Sequence, residues 1–541
     1  MEIAINLMGG LGLFLYGMNL MGDGLQKSAG SKLRRIIELL TSNVLMGVIV
    51  GALVTAIIQS SSATTVMVVG FVNAGIMTLP QAIGVIMGAN IGTTITAQIV
   101  SLNLVGLAPV ALGIGIIFYL FSGKPKTKNV AEILIGFGIL FTGMDFMKDA
   151  VKPLTEFPIF IEALSSLGQN PILGVLLGFG ITAIVQSSSA SMGMLLAVSS
   201  TGAIGLGAAL PILYGENIGT CVTSLISSIG ASKNARRAAT MHLIFNIIGT
   251  MVFMLVLTKP ITMLVTHLDP TDVSRQIANS HTLFNITNVI LLLPFSKLIV
   301  KLTMKLVPER EDEIEDKKTV KYIDERMMET PSIALSNTVK ETLRMGNKAK
   351  NALINSMEGL LEQSENKIKK SLEEEKVVNN LQKLILNYLL KLSKVSLNNE
   401  SRENVDALFN TVNDIERIGD HAENIAELGE IILEKQLSLS KEGTEELNQM
   451  YERVVSTYTY ALKCMENYDI DLACRVIKME EQVNMMEKSC RENHMRRLNE
   501  NLCTIDNGVI FLDIISNLER VSDHSVNIAQ RVIKLSNGNI A

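Results

Sequence analysis

The chain has 541 residues, 48% of them hydrophobic, with no tryptophan and a net charge of −5. That average hides two unlike parts: residues 1–306 hold 17 basic and 11 acidic residues, leaving 31 basic and 42 acidic residues for the remainder. The first part contains apolar runs of the roughly 20 residues that a bilayer crossing needs and the second has none, which excludes a single soluble globule and predicts a membrane part followed by a soluble one.

The first apolar run, 4–25, lacks a basic leader and a small-residue cleavage site, so it reads as a retained span rather than a signal peptide. Further full spans fit near 80–101, 104–122, 130–150, 204–229, 237–258 and 282–300. Four basic clusters separate them: Lys27, Lys32, Arg34 and Arg35; Lys124, Lys126 and Lys128; Lys233, Arg236 and Arg237; Lys297, Lys301 and Lys305. The positive-inside rule places all four in the cytoplasm, while the balanced or acidic loops at 151–170 and 259–281 fall outside. Seven crossings put the N-terminus outside the cell membrane and the soluble domain inside. Cys221 lies in the membrane part; Cys464, Cys474, Cys490 and Cys503 lack metal-site spacing, and an odd total suits reduced thiols on a cytoplasmic face.

Two segments do not fit as full spans. Gln59-Ser60-Ser61-Ser62-Ala63 recurs 127 residues later as Gln186-Ser187-Ser188-Ser189-Ala190, and the offset holds over a long stretch. Gly47, Gly51, Thr55, Gly75, Asn90, Gly92, Thr93 and Ser101 return as Gly174, Gly178, Thr182, Gly202, Asn217, Gly219, Thr220 and Ser228. As a helix the apolar run 47–58 covers only about 18 Å, against a hydrocarbon core of about 30 Å. A half-helix that ends at the serines and returns through 63–78 fits better. The first span repeats too, because Gly12, Gly17, Met18, Met21 and Asp23 match Gly138, Gly143, Met144, Met147 and Asp149 at an offset of 126. Loop charge gives the two copies opposite orientations, which predicts an inverted repeat with two re-entrant hairpins meeting at a polar site.

Consecutive hydroxyls are costly in hydrocarbon unless they face a cavity or a ligand. A broken helix frees backbone N–H groups at the start of its returning half, and these attract an anion. Serine hydroxyls add donors for a tetrahedral oxyanion and acceptors for Na⁺. No Lys or Arg lies deep in a span to neutralise an anion, so co-transported cations are expected. The bland alternative is that Ser and Thr serve only close helix packing. Among other polar residues, His242 and Asn246 recur as His281 and Asn285, each pair on one helical face, which predicts interhelical hydrogen bonds. Asp145 aligns with Asn19 and reads as a cation ligand or an interfacial charge. Glu216 replaces Ala89 beside the repeated Asn and is a candidate cation ligand.

The Gln-Ser-Ser-Ser pair and the Asn-Ile-Gly-Thr runs at 90–93 and 217–220 resemble the type II sodium/phosphate cotransporter family over about residues 1–300. The resemblance implies Na⁺-coupled transport of inorganic phosphate by a membrane symporter embedded in lipid. It places phosphate and Na⁺ among Ser60, Ser61, Ser62, Ser187, Ser188 and Ser189. Gln59, Gln186, Thr64, Thr65, Ser191, Asn90, Asn217, Thr93 and Thr220 line or brace that site. The copies differ after the serines, where Thr64-Thr65 becomes Ser191-Met192, so the halves should not bind equivalently.

The charged stretch from Pro308 reads as a linker over 307–325, and 326–541 reads as all helix. Periods of three and four run through 333–361, 368–392, 405–433, 442–466, 470–500 and 505–535. A second duplication lies here: Glu416, Asp420, His421 and Asn424 return as Glu519, Asp523, His524 and Asn527 at an offset of 103, which predicts two related three-helix bundles. Glu, Asp and Asn at i, i+4 and i+8 form an oxygen-rich stripe that suits Mg²⁺, Mn²⁺ or iron, or else a solvated acidic face. This segment resembles the PhoU family of phosphate-signalling regulators, and the resemblance implies metal clusters on those motifs. The whole reads as an all-α polytopic transporter with a cytoplasmic regulatory domain. A homodimer and a phosphate-signalling partner protein are compatible with it, and no nucleic-acid partner is expected. A carrier of another small oxyanion such as sulfate and a phosphate-sensing membrane protein are the rival readings. An enzyme is not expected, since there is no Gly-rich phosphate loop and no nucleophile–His–acid set.

Overall fold

The computed structural model describes residues 2–29, 43–102, 104–153, 157, 170–308, 320–395, 397, 399–500 and 502–538. Lys32, Arg34, Arg35, most of the loop at 151–170 and the linker at 309–319 lie outside the described residues. Every regular element among the described residues is helical. The chain forms two units. One takes the described residues up to 308 together with Asp324–Ser332; the other takes 320–323 and the chain from 333 onward. Asp324–Ser332, which straddles the domain boundary expected at 325–326, thus packs with the first unit.

In the first unit, α1 (Glu2–Ala29) is followed by α2 (Val44–Ile58), α3 (Ser61–Asn73), α4 (Leu79–Gly92), α5 (Thr94–Ser101) and α6 (Ala108–Phe121). The series recurs as α7 (Pro125–Val151), α8 (Pro171–Val185), α9 (Ser188–Ser200) and α10 (Leu206–Ser227). Then α11 (Lys233–Val252) runs through a π-turn at Phe253–Leu257 into α12 (Thr258–Leu268), and α13 (Val273–Leu292) runs through a 3-10 turn into α14 (Ser296–Leu306). The duplicated elements match in length: α2 and α8 have 15 residues each, α3 and α9 have 13. At about 1.5 Å per residue none of the four reaches across a ~30 Å hydrocarbon layer alone.

Among the described residues, six helical stretches are long and apolar enough to cross a membrane: Ile3–Ala29, Leu79–Ser101, Leu104–Phe121, Pro125–Val151, Lys233–Leu268 and Val273–Leu306. The seventh expected span, 204–229, is α10. Its 22 residues suffice in length, but Glu216, Asn217, Thr220, Ser224 and Ser227 dilute its apolar character below that of the others. Outward-facing apolar residues such as Val110, Ile117, Leu120 and Phe121 on α6 suit a lipid surround.

Glycine sets how closely these helices approach. A Cβ on Gly17 of α1 would lie 2.3 Å from the backbone N of Leu140 and 2.6 Å from the Gly136 carbonyl oxygen on α7; Gly143 faces Phe14 and Gly10 in the same way. Within the copies, Gly51 of α2 meets the Val85 carbonyl and Gly88 of α4 the Val48 carbonyl. Their counterparts, Gly178 and Gly215, meet Ile212 and Val175. Backbone-on-backbone contact is how helices gain attraction where burial from water drives nothing. Tyr214, Phe253 and Phe284 fill the interior with ring centroids 4.7–5.8 Å apart.

The second unit contains α15 (Pro331–Leu361) from Ile333 onward, α16 (Glu365–Leu392), α17 (Asn399–Glu434), α18 (Lys441–Asn467), α19 (Ile470–Asn499) and α20 (Ile505–Gly538). These are the six helices the periodicity predicts. Their apolar stripes close a core that includes Met345, Leu353, Ile385, Ile415, Val454 and Leu518. The Tyr458 hydroxyl donates to the Gly346 carbonyl at 3.0 Å, tying α18 to α15.

The α1–α7 contact makes a prediction. Gly17→Ala should lower the melting temperature of the purified protein by an amount equivalent to about 1–3 kcal/mol, the usual cost of overpacking. Gly9→Ala, where nothing lies within 4 Å, should leave it unchanged. Equal melting temperatures for the two variants would contradict the packing described.

Candidate transport site

Each Gln-Ser-Ser-Ser segment is a helix break built from local rules. Gln59 and Gln186 adopt left-handed backbone angles, φ 60° and 55°, and their N–H groups donate to the Thr55 and Thr182 carbonyls, both at 2.7 Å. This is a left-handed helix C-cap without glycine. Ser60 and Ser187 follow in extended conformation and cap the next helix, with Oγ accepting from Ala63 N at 3.1 Å and from Ala190 N at 3.2 Å. Each capping hydroxyl accepts through its oxygen and keeps its own proton to donate elsewhere. The first backbone N–H groups of α3 and α9, at Ser61, Ser62, Ser188 and Ser189, have no acceptor within their helices.

The two breaks open on one cavity of about 400 Å³. It is lined by Gln59, Ser60, Ser61 and Ser62 from one copy and by Gln186, Ser187, Ser188 and Ser189 from the other, with Asn19, Asp23 and Gln26 of α1 and with Glu329. Ser61 Oγ is buried and has no hydrogen-bond partner. Among the described residues, no Lys or Arg lines the cavity. The nearest cation on α1, Lys27, is paired with Glu132 at 2.8 Å. Among the described residues the cavity therefore presents two helix N-termini and a ring of hydroxyls, with acids and no bases.

The remaining expected site residues stand behind the cavity wall. The Thr55 hydroxyl donates to Thr64 Oγ1 at 2.9 Å, Thr65 donates to the Ser62 carbonyl at 3.0 Å, and Ser191 donates to the Ser187 carbonyl at 3.2 Å. Thr182, the copy of Thr55, is left without a partner, as the change from Thr64-Thr65 to Ser191-Met192 implies. Thr93 is the junction residue between α4 and α5, and Thr220 Oγ1 donates to the Glu216 carbonyl at 2.9 Å. Asn90 and Asn217 lie deeper, in a polar cluster with the His-x-x-x-Asn pairs. His242 Nε2 is 3.2 Å from Asn90 Oδ1, and Asn90 Nδ2 donates to Asn246 Oδ1 at 3.4 Å. Asn285 Nδ2 donates to Asn217 Oδ1 at 3.5 Å. The expected interhelical bonds thus join α11 to α4 and α13 to α10. Glu216 is 3% exposed, lies outside the cavity lining, and one carboxylate oxygen has no hydrogen-bond partner.

Five contributors escaped the sequence reading. Asn19, Asp23 and Gln26 line the cavity, whereas Asp145 and Asp149, the copies of Asn19 and Asp23, are not among its lining residues. The signal was a polar stripe at helical spacing on α1. Thr96 holds the buried Gln59 by donating to Oε1 at 2.8 Å. Glu329 lies 269 residues along the chain from Ser60 and 142 from Ser187.

In the second unit the acidic stripe divides. Glu375, Asp420 and Glu423 bring carboxylate oxygens within 4.8 Å of one another, close enough to hold one metal ion. Burial together with the charges of Glu423, Asp420 and Glu416 pushes Glu375 up to about 7. In the other copy burial, then Asp523 and after it Glu487 and Glu480, raises Glu519. Asn424 and Asn527 turn the other way: Asn424 Nδ2 donates to Asn517 Oδ1 at 3.2 Å and Asn527 Nδ2 to Asp414 Oδ1 at 3.1 Å. His421 and His524 stack between them with ring centroids 5.7 Å apart, bonded to those same two residues. Asp414 and Asn517 are themselves 103 apart, so the two copies exchange matching ties across α17 and α20.

Comparison with known proteins now bears on this geometry. Residues 13–149 and 158–268 match the Na⁺/Pi-cotransporter family model, and 342–429 and 447–532 match the PhoU domain. Bacillus subtilis YqeW, an uncharacterized protein, is 32% identical over 297 residues, 55% of this chain and 96% of YqeW. The chain belongs to the Na⁺/Pi-cotransporter family and carries a PhoU domain. Salmonella typhimurium YjbB, named for inorganic phosphate export, is 25% identical over 537 residues, covering 98% of this chain and 97% of YjbB. Sodium-dependent phosphate transport protein 2B of Homo sapiens is 39% identical over 104 residues, 19% of this chain and 15% of that protein. This family member is therefore a multi-pass membrane protein of phosphate transport rather than an enzyme, and phosphate is the substrate of its family.

Proposed function

We propose that the chain is a Na⁺-coupled carrier of inorganic phosphate whose substrate and ions bind between the two helix breaks. The observation that carries this is the cavity itself: two serine-capped helix N-termini face one space whose described lining contains acids and no cationic side chain. Free N–H groups and hydroxyl protons suit an oxyanion. Hydroxyl and carbonyl oxygens with Asp23 suit Na⁺, which supplies the positive charge that the walls lack. Gln59 and Gln186 brace the breaks. Glu216 serves as a ligand for a coupling cation, which would complete its unpartnered oxygen.

In proteoliposomes with Na⁺ gradients imposed in each direction, radiolabelled phosphate should move with the Na⁺ gradient, and the preferred sense of that flux assigns uptake or export. Ser61→Ala and Ser60→Ala/Ser187→Ala should reduce it by about 10-fold or more, the effect of losing a charge-assisted bond of 1.5–3 kcal/mol. Wild-type flux in the double variant would end this assignment of the site, and sulfate flux exceeding phosphate flux would change the substrate.

The two copies are further proposed to be inverted, with re-entrant helix pairs, the N-terminus outside and the PhoU domain in the cytoplasm. Lone cysteines at Asn43 and Asn170, the N-caps of α2 and α8, should react with an impermeant thiol reagent from opposite sides of the membrane. Labelling of both from one side would rule out the inversion.

The PhoU domain is proposed to bind Mg²⁺, Mn²⁺ or iron through Glu375, Asp420 and Glu423 with Glu416, and through Glu480, Glu519 and Asp523 in the other copy. A carboxyl at about 7 must lose its proton to bind metal. Mn²⁺ affinity of the whole protein should therefore rise with pH up to about 8 and then level off. Glu375→Gln should flatten that rise, and Asp420→Ala/Asp523→Ala should lower the metal content measured by elemental analysis. Equal metal in wild type and the double variant would leave only an acidic face.

A further inference from the structure

The residues just before the PhoU domain pack against the transport unit, and they do so along α3. Asp324 accepts from Asn73 Nδ2 at the far end of α3, and Asn73 Oδ1 in turn accepts from Ser232 N at 2.9 Å. Arg326 donates through Nε to the Ser227 carbonyl at the end of α10, at 2.6 Å, and pairs with Asp324 at 2.8 Å. Met327 is fully buried and lies against Gly70; a Cβ there would sit 3.5 Å from the Met327 side chain. A short 3-10 turn, Glu325–Glu329, then carries the chain to the cavity, where the Glu329 side chain joins the lining beside Ser60, Ser61 and Ser188. Glu329 is exposed to that cavity, and among the described residues no Lys or Arg shares the lining with it.

Both ends of this segment are held by the other unit. Upstream, the N–H groups of Lys321 and Tyr322 donate to the Glu341 carboxylate on α15, the first of them at 2.8 Å. Downstream, the chain enters α15 itself at Pro331. Asp324–Ser332, a segment of the first unit, is thus joined along the chain at each end to the second, and it brings a carboxylate to a cavity whose described lining holds no positive side chain.

We propose that Asp324–Glu329 is a strap that closes the serine-lined cavity, and that the PhoU domain, holding both of its ends, opens transport by withdrawing it. Two anions would share that cavity if phosphate entered while Glu329 remained, so docked strap and bound phosphate oppose each other. By linkage, phosphate weakens strap docking to the same degree that the docked strap weakens phosphate binding. The second half of this inference rests on the cavity being the phosphate site; the closure does not.

The test uses the full-length protein in liposomes, with the accessible Cys474 and Cys503 changed to serine and Gln26→Cys as a cavity reporter. Asp324→Ala/Arg326→Ala should speed modification of that cysteine by a small methanethiosulfonate about 10-fold, a coupling of ordinary size. In a separate form, oxidation of Asn73→Cys/Asp324→Cys should pin the strap and stop phosphate flux until reductant is added, and inorganic phosphate should slow that cross-link. Glu329→Gln, which keeps the shape and removes the charge, should abolish the phosphate effect on cross-linking. An unchanged modification rate in the strap variant, or undiminished flux in the pinned protein, would overturn the closure. Faster modification with no phosphate effect and no flux would uphold the closure and overturn the phosphate reading.

Discussion

The architecture of the transport unit depends on one local constraint, the interruption of a helix within apolar surroundings. Ending α2 at Ile58 and starting α3 at Ser61 frees backbone groups that hydrocarbon cannot satisfy. Two devices meet most of that cost. Gln59 turns left-handed so that its N–H reaches back to Thr55, and Ser60 caps the next helix through its own hydroxyl. What they leave unmet, the first N–H groups of α3 and the Ser61 hydroxyl, belongs to residues that line the cavity. Gln186 and Ser187 repeat the arrangement with φ and distances nearly unchanged. The short helices, the glycine-mediated contacts and the placement of α1 all hold these two breaks opposite each other.

Duplication builds the frame, and departures from it build the function. Gly51 and Gly178 pack alike, as do Gly88 and Gly215, because backbone contact is purely geometric. Around the cavity the copies diverge. Gln59 is buried and held by Thr96, while Gln186 stays accessible. Asn19 and Asp23 face the cavity and their copies on α7 do not. Glu216 stands where the first copy has Ala89. The PhoU domain shows the same logic, since Asp414 and Asn517 occupy equivalent positions and receive equivalent bonds, yet only Asp414 carries a charge that also pairs with Arg531.

The sequence made the breaks legible because a run of hydroxyls in apolar sequence is too costly to be incidental, and its recurrence at a fixed offset removes chance. The six PhoU-domain helices were legible for a similar reason, in that long amphipathic periods leave little freedom. Other features left weaker traces. The stripe of Asn19, Asp23 and Gln26 was visible as spacing, yet single polar residues near a span end also read as interfacial anchors. Span 204–229 has the length of its neighbours, and its polar residues set it apart from them. The acids that join Asp420 and Asp523 come from a neighbouring helix in each copy. Glu375 and Glu480 stand 105 apart rather than 103, so the duplication that marks one pair hides the other. Glu329 had no local signal, because its role follows from where the chain returns.

Charge links these features. At their N-termini α3 and α9 together present roughly one positive elementary charge. A hydrogen phosphate dianion would outweigh that, and Asp23 and Glu329 line the same cavity. With unit charges about 6 Å apart and an effective dielectric constant near 20, each like-charged pair costs about 3 kcal/mol. Helix dipoles and hydroxyls alone do not offset two such pairs. In the proposed mechanism the shortage is met from both sides: cations enter with the anion, and the strap takes Glu329 away. Coupling and gating would then share one origin, a cavity shaped for an oxyanion whose described lining holds no positive side chain. A lysine or arginine in that wall would bind phosphate more tightly and remove the reason for both.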